Sequence, residues 1–443
     1  MFELAKRANI SVSPIRKIFQ QLPAIKEKRK EEGLSPLIDL SIGQPHLAAN
    51  PEVMQKLAEM SVNQASQGYS PAQGELETLE AIVKLYKYYY PCVQYKPEET
   101  MVTVGGSGAL SNIFSILVEK ENDVILTFEP YFATYIGQVQ EWGGTLKKIP
   151  TLQNNFRPTA EGLEEALNTY TNAKALIMNY PNNPSGIALK KEEVINLAET
   201  LEKYPDLIVI IDDVYRDFNY IEHFTVLDVA PQLKDRSVVI NSGAKGLLGA
   251  PGERVGMIAA HEHLIKSMLP RQTNGISGVP YRTQAALRFA VDHHLKNPNN
   301  DWLMNAKEEY KTNVEIASNA FKKQGFILSH EPAGAFYLLI SAKHLIGKKI
   351  PNTFEEIKND IDIVNYFLHT AGVATVPGSG FGIDPTEGYL RISCAKQNNL
   401  VLLRSCEVLS CSFIEHRHLL RRRELIQPRI TGDFAKPLLA LQN

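Results

Sequence analysis

The sequence predicts an α/β fold: a mainly parallel sheet sandwiched by helices in a large domain, followed by a smaller α+β domain. Between residues 101 and 260, short apolar runs typical of buried strands alternate with helical segments. This alternation is typical of parallel sheets covered by helices on both faces. After Pro280 the pattern changes to two long helices followed by short strands. A chain of 443 residues is also longer than one core normally organises, which favours two domains.

We expect the chain to divide into four parts. Residues 1–45 would form an N-terminal arm that joins the small domain, and residues 46–285 would form the large domain. Residues 286–395 would form the small α+β domain, and residues 396–443 an atypical C-terminal tail.

Composition excludes several classes of function. The formal net charge of −2 provides no overall positive field for nucleic acid or an anionic membrane. No apolar run reaches the roughly 18 residues of a membrane span, and the N-terminus lacks the apolar core of a signal peptide. The four cysteines show no CxxC spacing, so the sequence supports neither a metal site nor a disulfide framework. We therefore expect a cytoplasmic protein.

A glycine-rich turn follows the first predicted strand of the large domain. Residues 101–104 form that strand, and the turn 105–108 separates it from a helix over residues 109–118. Free backbone N–H groups and the helix dipole at such a junction favour a phosphate. Gly106 and Ser107 lie in this turn, although a sequence of this kind is often only a flexible connection.

Two further strands end next to residues that suit a binding site. Phe132 follows the predicted strand Val124–Phe128, and its ring could cover a flat ligand or belong to the core. Asn183 lies in the loop that follows the predicted strand at residues 175–179.

An aspartate follows the apolar strand predicted at residues 207–211. A carboxylate in that position costs free energy unless it has a partner. A protonated ring nitrogen would be such a partner for Asp212, and a helix N-cap is the alternative.

The stretch at residues 242–256 combines one lysine with a serine, an arginine and several glycines between two apolar runs. A lysine such as Lys245 can form a Schiff base with a carbonyl compound. Ser242 and Arg254 can both hold phosphate. A carbonyl cofactor that carries a phosphate describes pyridoxal phosphate. Ligands of such sheets bind beyond the carboxyl ends of the strands, and five candidates fall there: Gly106, Phe132, Asn183, Asp212 and Lys245.

The ordered set of motifs resembles the class I/II aminotransferases, which are fold-type-I pyridoxal phosphate enzymes. The resemblance runs from about Asp39 to Ala395. It rests on the segments SIGQP, VTVGGSGAL, EPYF, NYPNNPSG, IDDVY, SGAK, GERVG and YLRISCA, which occur in the order of the family.

The resemblance implies roles around the cofactor ring. Lys245 would carry the internal aldimine and then move a proton between the substrate Cα and the cofactor C4′. Asp212 would pair with the pyridinium nitrogen and keep it protonated. Tyr215 and Asn183 would hydrogen-bond the 3′-oxygen, and Phe132 would stack on the ring.

The resemblance also implies how the phosphate would be held. The N–H groups of Gly106 and Ser107 would bind it together with Ser242 and Arg254. Tyr69 would reach the phosphate of the other subunit, so the site implies a homodimer.

For the substrate, the resemblance implies that Arg391 grips the α-carboxylate through two parallel hydrogen bonds. Asn179 or Asn183 and the backbone of Gly43 would assist it. The implied function is an aminotransferase that moves an amino group between an amino acid and a 2-oxo acid in the cytoplasm. A lyase or synthase of the same fold would share these cofactor residues and is an alternative, and a non-enzymatic ligand-sensing module is a remote one.

The donor amino acid is left open at this point. Arg16, Arg271 and Arg282 could meet an acidic substrate side chain, but no pattern in the sequence places them at the site.

The sequence departs from the family pattern in three places. Arg254 lies nine residues after Lys245, where many relatives have eight, so one residue must loop out between them. Ala244 replaces a common serine. Residues 396–443 carry eight Lys/Arg and four Asp/Glu, and three of the four cysteines lie in the last fifty residues of the chain. This tail suggests an appended segment or an altered reading frame, and an ordinary helix is the alternative. We expect residues after about 427 to be poorly ordered or loosely attached.

Overall fold

A computed structural model of the chain describes residues 14–299, 301–350 and 355–395. The predicted tail, with its expected lack of order, lies outside these ranges. The α-helices are α1 (Pro14–Glu31), α2 (Pro51–Ser61), α3 (Leu76–Tyr89), α4 (Gly105–Leu117), α5 (Thr134–Glu141), α6 (Ala160–Thr169), α7 (Lys191–Glu202), α8 (Val226–Val229), α9 (Glu262–Ile276), α10 (Tyr281–Lys296), α11 (Asp301–Lys323) and α12 (Asp360–Tyr366). None of the helices in the described ranges is long and apolar enough to cross a membrane.

The β-strands fall into a large sheet, a small sheet and one short pair. They are β1 (Ile38–Asp39), β2 (Thr100–Val104), β3 (Val124–Phe128), β4 (Thr145–Ile149), β5 (Ala173–Met178), β6 (Ile208–Asp212), β7 (Ser237–Asn241), β8 (Val255–Ala259), β9 (Ile327–Leu328), β10 (Tyr337–Ser341), β11 (Val373–Ala374), β12 (Val376–Pro377) and β13 (Tyr389–Ser393).

The large sheet has seven strands in the order β2-β8-β7-β6-β5-β3-β4. The pairs among β3 to β7 are parallel, and only β8 runs against its neighbours β2 and β7. Alternate side chains of one strand enter cores on opposite faces, as the twofold period of a strand requires. Val209 and Ile211 of β6 pack in one core, and Ile210 packs in the other. The predicted mainly parallel sheet between helices is therefore confirmed.

The small sheet is antiparallel, in the order β12-β13-β10-β9. It shares a separate hydrophobic core with helices α1, α11 and α12. Ile18 and Leu22 of α1 are buried in this core together with Phe321 and Ile363. Strand β1 also pairs in parallel with β11, so the N-terminal segment packs with the small sheet. This arrangement confirms the smaller α+β unit that the sequence predicts.

The predicted boundary at residue 285 falls inside helix α10. Leu287 and Val291 of this helix are fully buried in the same core as Val53 of α2 and Ile82 of α3. Helix α10 therefore packs along its length against helices α2 and α3 of the large domain, although the residues after 285 are predicted to belong to the small domain.

One local prediction is wrong: the glycine-rich segment at residues 105–108 is not a turn before a helix. Helix α4 begins at Gly105, so these residues form its first turn. Small residues are needed here because the backbone of β8 passes very close. A Cβ atom on Gly256 would lie 2.5 Å from the Gly105 carbonyl carbon and 2.8 Å from the Gly106 nitrogen. The glycines thus allow strand β8 to contact the start of helix α4 directly.

We predict that Gly256→Ala lowers the free energy of unfolding by about 1–3 kcal/mol, the usual cost of overpacking. The added methyl group would push β8 away from the first turn of α4. Urea unfolding of the cofactor-free protein measures the effect. Gly252→Ala is the matched control, because a Cβ there meets nothing within 4 Å and should change stability by less than about 0.5 kcal/mol. Equal stability of the two variants would contradict the close contact.

Candidate active site

The predicted site residues gather at one edge of the large sheet, where the parallel strands end. Asp212 is the last residue of β6, and Asn179 directly follows β5. Ser242 follows β7, and Phe132 lies in the segment between β3 and α5. Carboxyl ends of parallel strands meet at the same edge of a sheet. The topology alone therefore brings these side chains to one face.

Lys245 lies in the middle of this edge. Its Nζ donates a hydrogen bond to the Gly43 carbonyl oxygen at 2.7 Å. The same atom lies 5.8 Å from the ring centre of Tyr215 and 5.7 Å from that of Phe336. Burial, together with the positive charges of Arg391 and Arg254, lowers the pKa of Lys245 to about 8. A larger share of neutral amine is available at neutral pH, which suits a lysine that attacks a carbonyl carbon.

Asp212 is a buried carboxylate with one unused oxygen. Its side chain is 3% exposed, and the Tyr135 hydroxyl donates to Oδ2. The other oxygen, Oδ1, has no hydrogen-bond partner among the described residues. Burial raises the pKa of Asp212 to about 6, although the Tyr135 hydrogen bond opposes the rise. No helix starts at Asp212, since the next helical residues are the short 3₁₀ turn Arg216–Phe218; the N-cap alternative therefore has no support in the structure.

Asp213, the next residue, has the opposite environment. The Tyr90 hydroxyl donates to its Oδ2 at 2.6 Å, and Arg216 Nη1 lies 3.1 Å from the same oxygen. His223 Nε2 lies 2.9 Å from Oδ1. Burial alone would raise the pKa of Asp213, but His223 and Arg216 hold it below its usual range. The two neighbouring aspartates thus differ because Arg216 and His223 lie beside Asp213, whereas no salt bridge pairs Asp212 with a cation of the described residues.

Arg391 is a buried cation without a carboxylate partner. It is 2% exposed, and no salt bridge joins it to an acid in the described part of the chain. Its Nη1 donates to Asn183 Oδ1 at 3.2 Å, and its Nη2 donates to the Ser41 carbonyl oxygen. The guanidinium carbon lies 4.9 Å from the ring centre of Tyr337 and 5.1 Å from that of Phe381. Burial lowers the pKa of Arg391, and a bound carboxylate would compensate that cost.

The first turn of α4 and Arg254 form an anion-binding corner. The first turn has no acidic residue, and no side chain caps its N-terminus. A Cβ on Gly105 would lie 2.8 Å from Arg254 Nη2, so the guanidinium lies against this turn. Ser242 Oγ donates to the Val255 carbonyl at 3.3 Å, at the adjoining end of β8. Uncapped N–H groups beside a guanidinium suit a phosphate.

The extra residue between Lys245 and Arg254 is accommodated in a tight loop. Gly249 has a left-handed φ of 63°, and the Trp302 ring of α11 packs directly on it. The 3₁₀ turn Pro251–Glu253 follows, and Arg254 itself is left-handed at φ 53°. The loop therefore returns the chain to Arg254 beside the start of α4. Ala244, the other local departure, is buried.

Two asparagines predicted as alternatives have different surroundings. Asn179 Nδ2 donates to the Asp212 carbonyl at 2.8 Å, and Asn179 Oδ1 accepts from the Asn183 backbone N–H at 3.0 Å. Both ends of the Asn179 amide are therefore used in holding the two loops together. Asn183 is the one that contacts Arg391.

Some predicted residues lie away from this cluster within the single chain. Tyr69 is 92% exposed and lines an open pocket together with Ile276 and Arg282. Arg271 lies with its guanidinium 5.3 Å from the Trp142 ring. Arg16 is on helix α1. None of the three arginines contacts Lys245 or Arg391 in the described structure.

The sequence analysis misses two tyrosines that are central to the network. Tyr135 donates to Asp212, and Tyr337 has its hydroxyl 2.8 Å from that of Tyr215. Tyr135 could have been suspected, because it lies three residues after Phe132, in the first turn of α5. Tyr337 lies in an apolar strand segment, residues 335–340, where an aromatic residue is more typical of a core.

The comparisons with known proteins place this geometry in a known class, the pyridoxal phosphate-dependent enzymes. The chain matches the model of the family described as aminotransferase class I and II over residues 35–409. This is well over half of its length, and the chain belongs to that family. As a member of this family, the protein is an aminotransferase. The match includes residues 396–409, which the composition groups with the tail.

Relatives and solved structures agree with this assignment. The chain is 30% identical over 369 residues to a probable aspartate/prephenate aminotransferase of Rickettsia typhi, covering 83% of this chain and 88% of that protein. A protein of the same description from Rhizobium leguminosarum is 32% identical over 362 residues, covering 81% and 87%. The crystal structure of the aspartate aminotransferase from Rhizobium meliloti superimposes with a TM-score of 0.84 at 28% identity, covering 93% and 99%.

We predict that Asp212→Asn stabilises the cofactor-free protein at pH 7, whereas Asp213→Asn destabilises it. Folding raises the pKa of Asp212 from 3.8 to about 6, so ionisation of this carboxyl destabilises the folded state. The destabilisation is small below pH about 4 and is fully present once the pH is well above about 6. Removing that charge should raise the free energy of unfolding by about 1–3 kcal/mol. Removing the paired Asp213 charge should lower it by about 2 kcal/mol or more, since the Arg216 side chain, only 15% exposed, would lose its anionic partner.

Urea unfolding at pH 4 and pH 7 measures both effects. The gain of Asp212→Asn should be much smaller at pH 4, where the wild-type carboxyl is protonated in the folded state and only partly ionised in the unfolded state. Equal destabilisation by the two substitutions at pH 7 would contradict the difference in environment.

Proposed function

We propose that this aminotransferase binds pyridoxal phosphate at the edge of the large sheet and transfers amino groups of acidic amino acids to 2-oxo acids. The observation that carries the cofactor assignment is Oδ1 of Asp212, a buried carboxylate oxygen with no hydrogen-bond donor among the described residues. A protonated ring nitrogen is the donor it lacks. The uncapped first turn of α4 with Arg254 fits the phosphate at the other end.

When bound, the cofactor supplies an electron sink for the substrate carbanion. Asp212 would keep the ring nitrogen protonated, since its negative charge favours the cation. Gly106, Ser107, Ser242 and Arg254 would hold the phosphate.

The residues around Lys245 would carry the proton transfers. Lys245 would bind the cofactor carbonyl, and after substrate exchange its freed amine would take the proton from the substrate Cα. Tyr215 and Asn183 would contact the ring oxygen, and Phe132 would cover the ring. Burial and the charges of Arg391 and Arg254 lower the pKa of this amine to about 8, so a larger share of it is neutral near pH 7 than for an ordinary lysine.

Arg391 would bind the α-carboxylate of every substrate. Its guanidinium is already fixed by Asn183 and the Ser41 carbonyl, so little side-chain freedom is lost on binding. The preference for acidic amino acids is supported by the relatives described as aspartate/prephenate aminotransferases. A solved aspartate aminotransferase from Thermus thermophilus, with a TM-score of 0.80 at 25% identity, was crystallised with maleate, a dicarboxylate.

We also propose that two chains form a homodimer in the cytoplasm. Tyr69 is exposed, and its side chain makes no hydrogen bond within the described part of the chain, which supports its contact with the phosphate of a second subunit. The arm at residues 1–45, the large domain at 46–285 and the small domain at 286–395 remain our proposed division, with α10 packed on the large sheet's side.

Incubation with aspartate alone tests the proposed reaction. We predict that the purified holoprotein loses its visible cofactor absorbance once and yields about one equivalent of the 2-oxo acid per site. Addition of prephenate or 2-oxoglutarate should restore the absorbance. Alanine, which lacks the second carboxylate, should react much more slowly. Lys245→Ala is the control and should not release the 2-oxo acid at a comparable rate. Continuous release of ammonia and 2-oxo acid would instead indicate a lyase.

We predict that Arg391→Lys lowers kcat/KM for aspartate by about 10²-fold, mostly through KM, because a lysine cannot make two parallel hydrogen bonds to a carboxylate. The cofactor content should stay near that of the parent protein. Arg236→Lys is the matched control, since Arg236 also donates to two carbonyl oxygens, those of Leu201 and Leu207, but lies outside the site. Unchanged KM in Arg391→Lys would remove this residue from the carboxylate site.

A further inference from the structure

A pair of buried tyrosine hydroxyls joins the two sheets next to Lys245. Tyr215 lies just after β6 of the large sheet, and Tyr337 is the first residue of β10 in the small sheet. Their hydroxyl oxygens are 2.8 Å apart, and both side chains are at most 4% exposed. Tyr337 lies on the strand that pairs with β13, where Leu339 faces Arg391 in register. No role in the sequence analysis or the proposed function involves Tyr337.

The direction of the neighbouring hydrogen bonds follows from donor and acceptor chemistry. Arg391 has donors only, and it donates to Asn183 Oδ1 at 3.2 Å. The Oδ1 end of the Asn183 amide is therefore the end that faces Arg391. Its Nδ2 end then faces Tyr215 and donates to the hydroxyl oxygen at 3.3 Å. One acceptor position of Tyr215 is thus filled by Asn183.

A tyrosine hydroxyl has one donor and two acceptor positions. If Tyr337 also donates to Tyr215, both acceptor positions of Tyr215 are filled. The Tyr215 proton is then directed away from both neighbours and remains available for a third group. Two accepted hydrogen bonds also make the remaining O–H a stronger donor, because hydrogen bonds in a chain polarise one another.

The surroundings keep this pair protonated and fixed. Burial raises the pKa of both Tyr215 and Tyr337, so each keeps its proton at neutral pH. Gly43 lies directly against the Tyr337 hydroxyl, since a Cβ there would be 2.3 Å from its oxygen. Arg391 lies over the Tyr337 ring with its guanidinium carbon 4.9 Å from the centre. The Tyr337 side chain therefore touches groups on the lysine side and on the carboxylate side of the site.

We propose that Tyr337 is a positioning residue that donates to Tyr215 and so directs the Tyr215 proton to the 3′-oxygen of the bound cofactor. This inference rests on the proposed cofactor site. A stronger donor at that oxygen stabilises its negative charge, and the Lys245 nitrogen bound to the cofactor then loses its proton at lower pH. Tyr337 thereby sets the pH at which the cofactor-bound lysine becomes neutral, although it does not touch the reacting atoms.

Tyr337→Phe tests this role, because it removes the hydroxyl and keeps the ring under Arg391. The readout is the pH midpoint of the visible absorbance change of the holoprotein without substrate, which needs no turnover. We expect the midpoint to rise by about 0.5 pH unit or more, the scale of one neutral hydrogen bond. Tyr86→Phe is the matched control, since Tyr86 is fully buried and its hydroxyl has no partner among the described residues. Its midpoint should stay at the parent value.

A double-mutant cycle with Tyr215→Phe shows whether Tyr337 acts through Tyr215. In the Tyr215→Phe background, Tyr337→Phe should leave the midpoint unchanged, because the donor it directs is gone. An unchanged midpoint in the single variant Tyr337→Phe would overturn the proposal. An equal rise in both backgrounds would overturn it too, since Tyr337 would then act independently of Tyr215.

Failure of the proposed function has a different signature. If the parent protein shows no visible absorbance with pyridoxal phosphate, the cofactor site itself is refuted, and the role of Tyr337 falls with it. Thermal unfolding of each variant without cofactor identifies any general loss of structure. A midpoint shift in Tyr337→Phe with a melting temperature close to that of Tyr86→Phe would support the specific role.

Discussion

The burial of Asp212 with one oxygen unpaired is the constraint around which the site is arranged. A charged carboxylate at the end of an apolar strand is costly, and the Tyr135 hydroxyl offsets only part of that cost. The same low-dielectric surroundings that raise its pKa would strengthen its attraction to a cation placed beside it. At the other end of the site, Arg391 is buried with no salt bridge to an acid of the described residues. The site therefore presents one anion and one cation, each complementary to a different part of a ligand.

The two halves of the site come from different sheets. Asp212 ends strand β6 of the large sheet and Lys245 and Asn183 come from its loops, whereas Arg391 and Tyr337 come from adjacent strands of the small sheet. Two polar contacts join the halves, Arg391 with Asn183 and Tyr337 with Tyr215. The Tyr215 ring also packs edge to face on Phe336. Side chains on rigid strands are held more accurately than side chains on loops, so the carboxylate-binding half has the firmer support.

Much of this arrangement could be predicted from the sequence, because strand ends carry local patterns. Apolar runs and the residues that follow them located Asp212, Asn183 and Lys245, and the periodicity predicted the parallel sheet. The start of α4 at Gly105 was not predictable locally, since it depends on the close approach of β8. Tyr337 was not predictable either. Its partner lies 122 residues away in the chain, and an aromatic residue in a buried strand gives no local indication of a polar contact.

The short segment at residues 41–43 holds the side chains of Arg391 and Lys245 through main-chain carbonyl groups. The Ser41 carbonyl accepts from Arg391 and the Gly43 carbonyl accepts from Lys245. Main-chain oxygens are present whatever side chain is attached, so amino-acid replacement cannot delete either acceptor. Size is restricted at two positions, since Tyr337 lies against Gly43 and Ser41 is fully buried. A one-residue insertion or deletion here would displace both acceptors together. During evolution this segment should therefore tolerate changes of residue far better than changes of length.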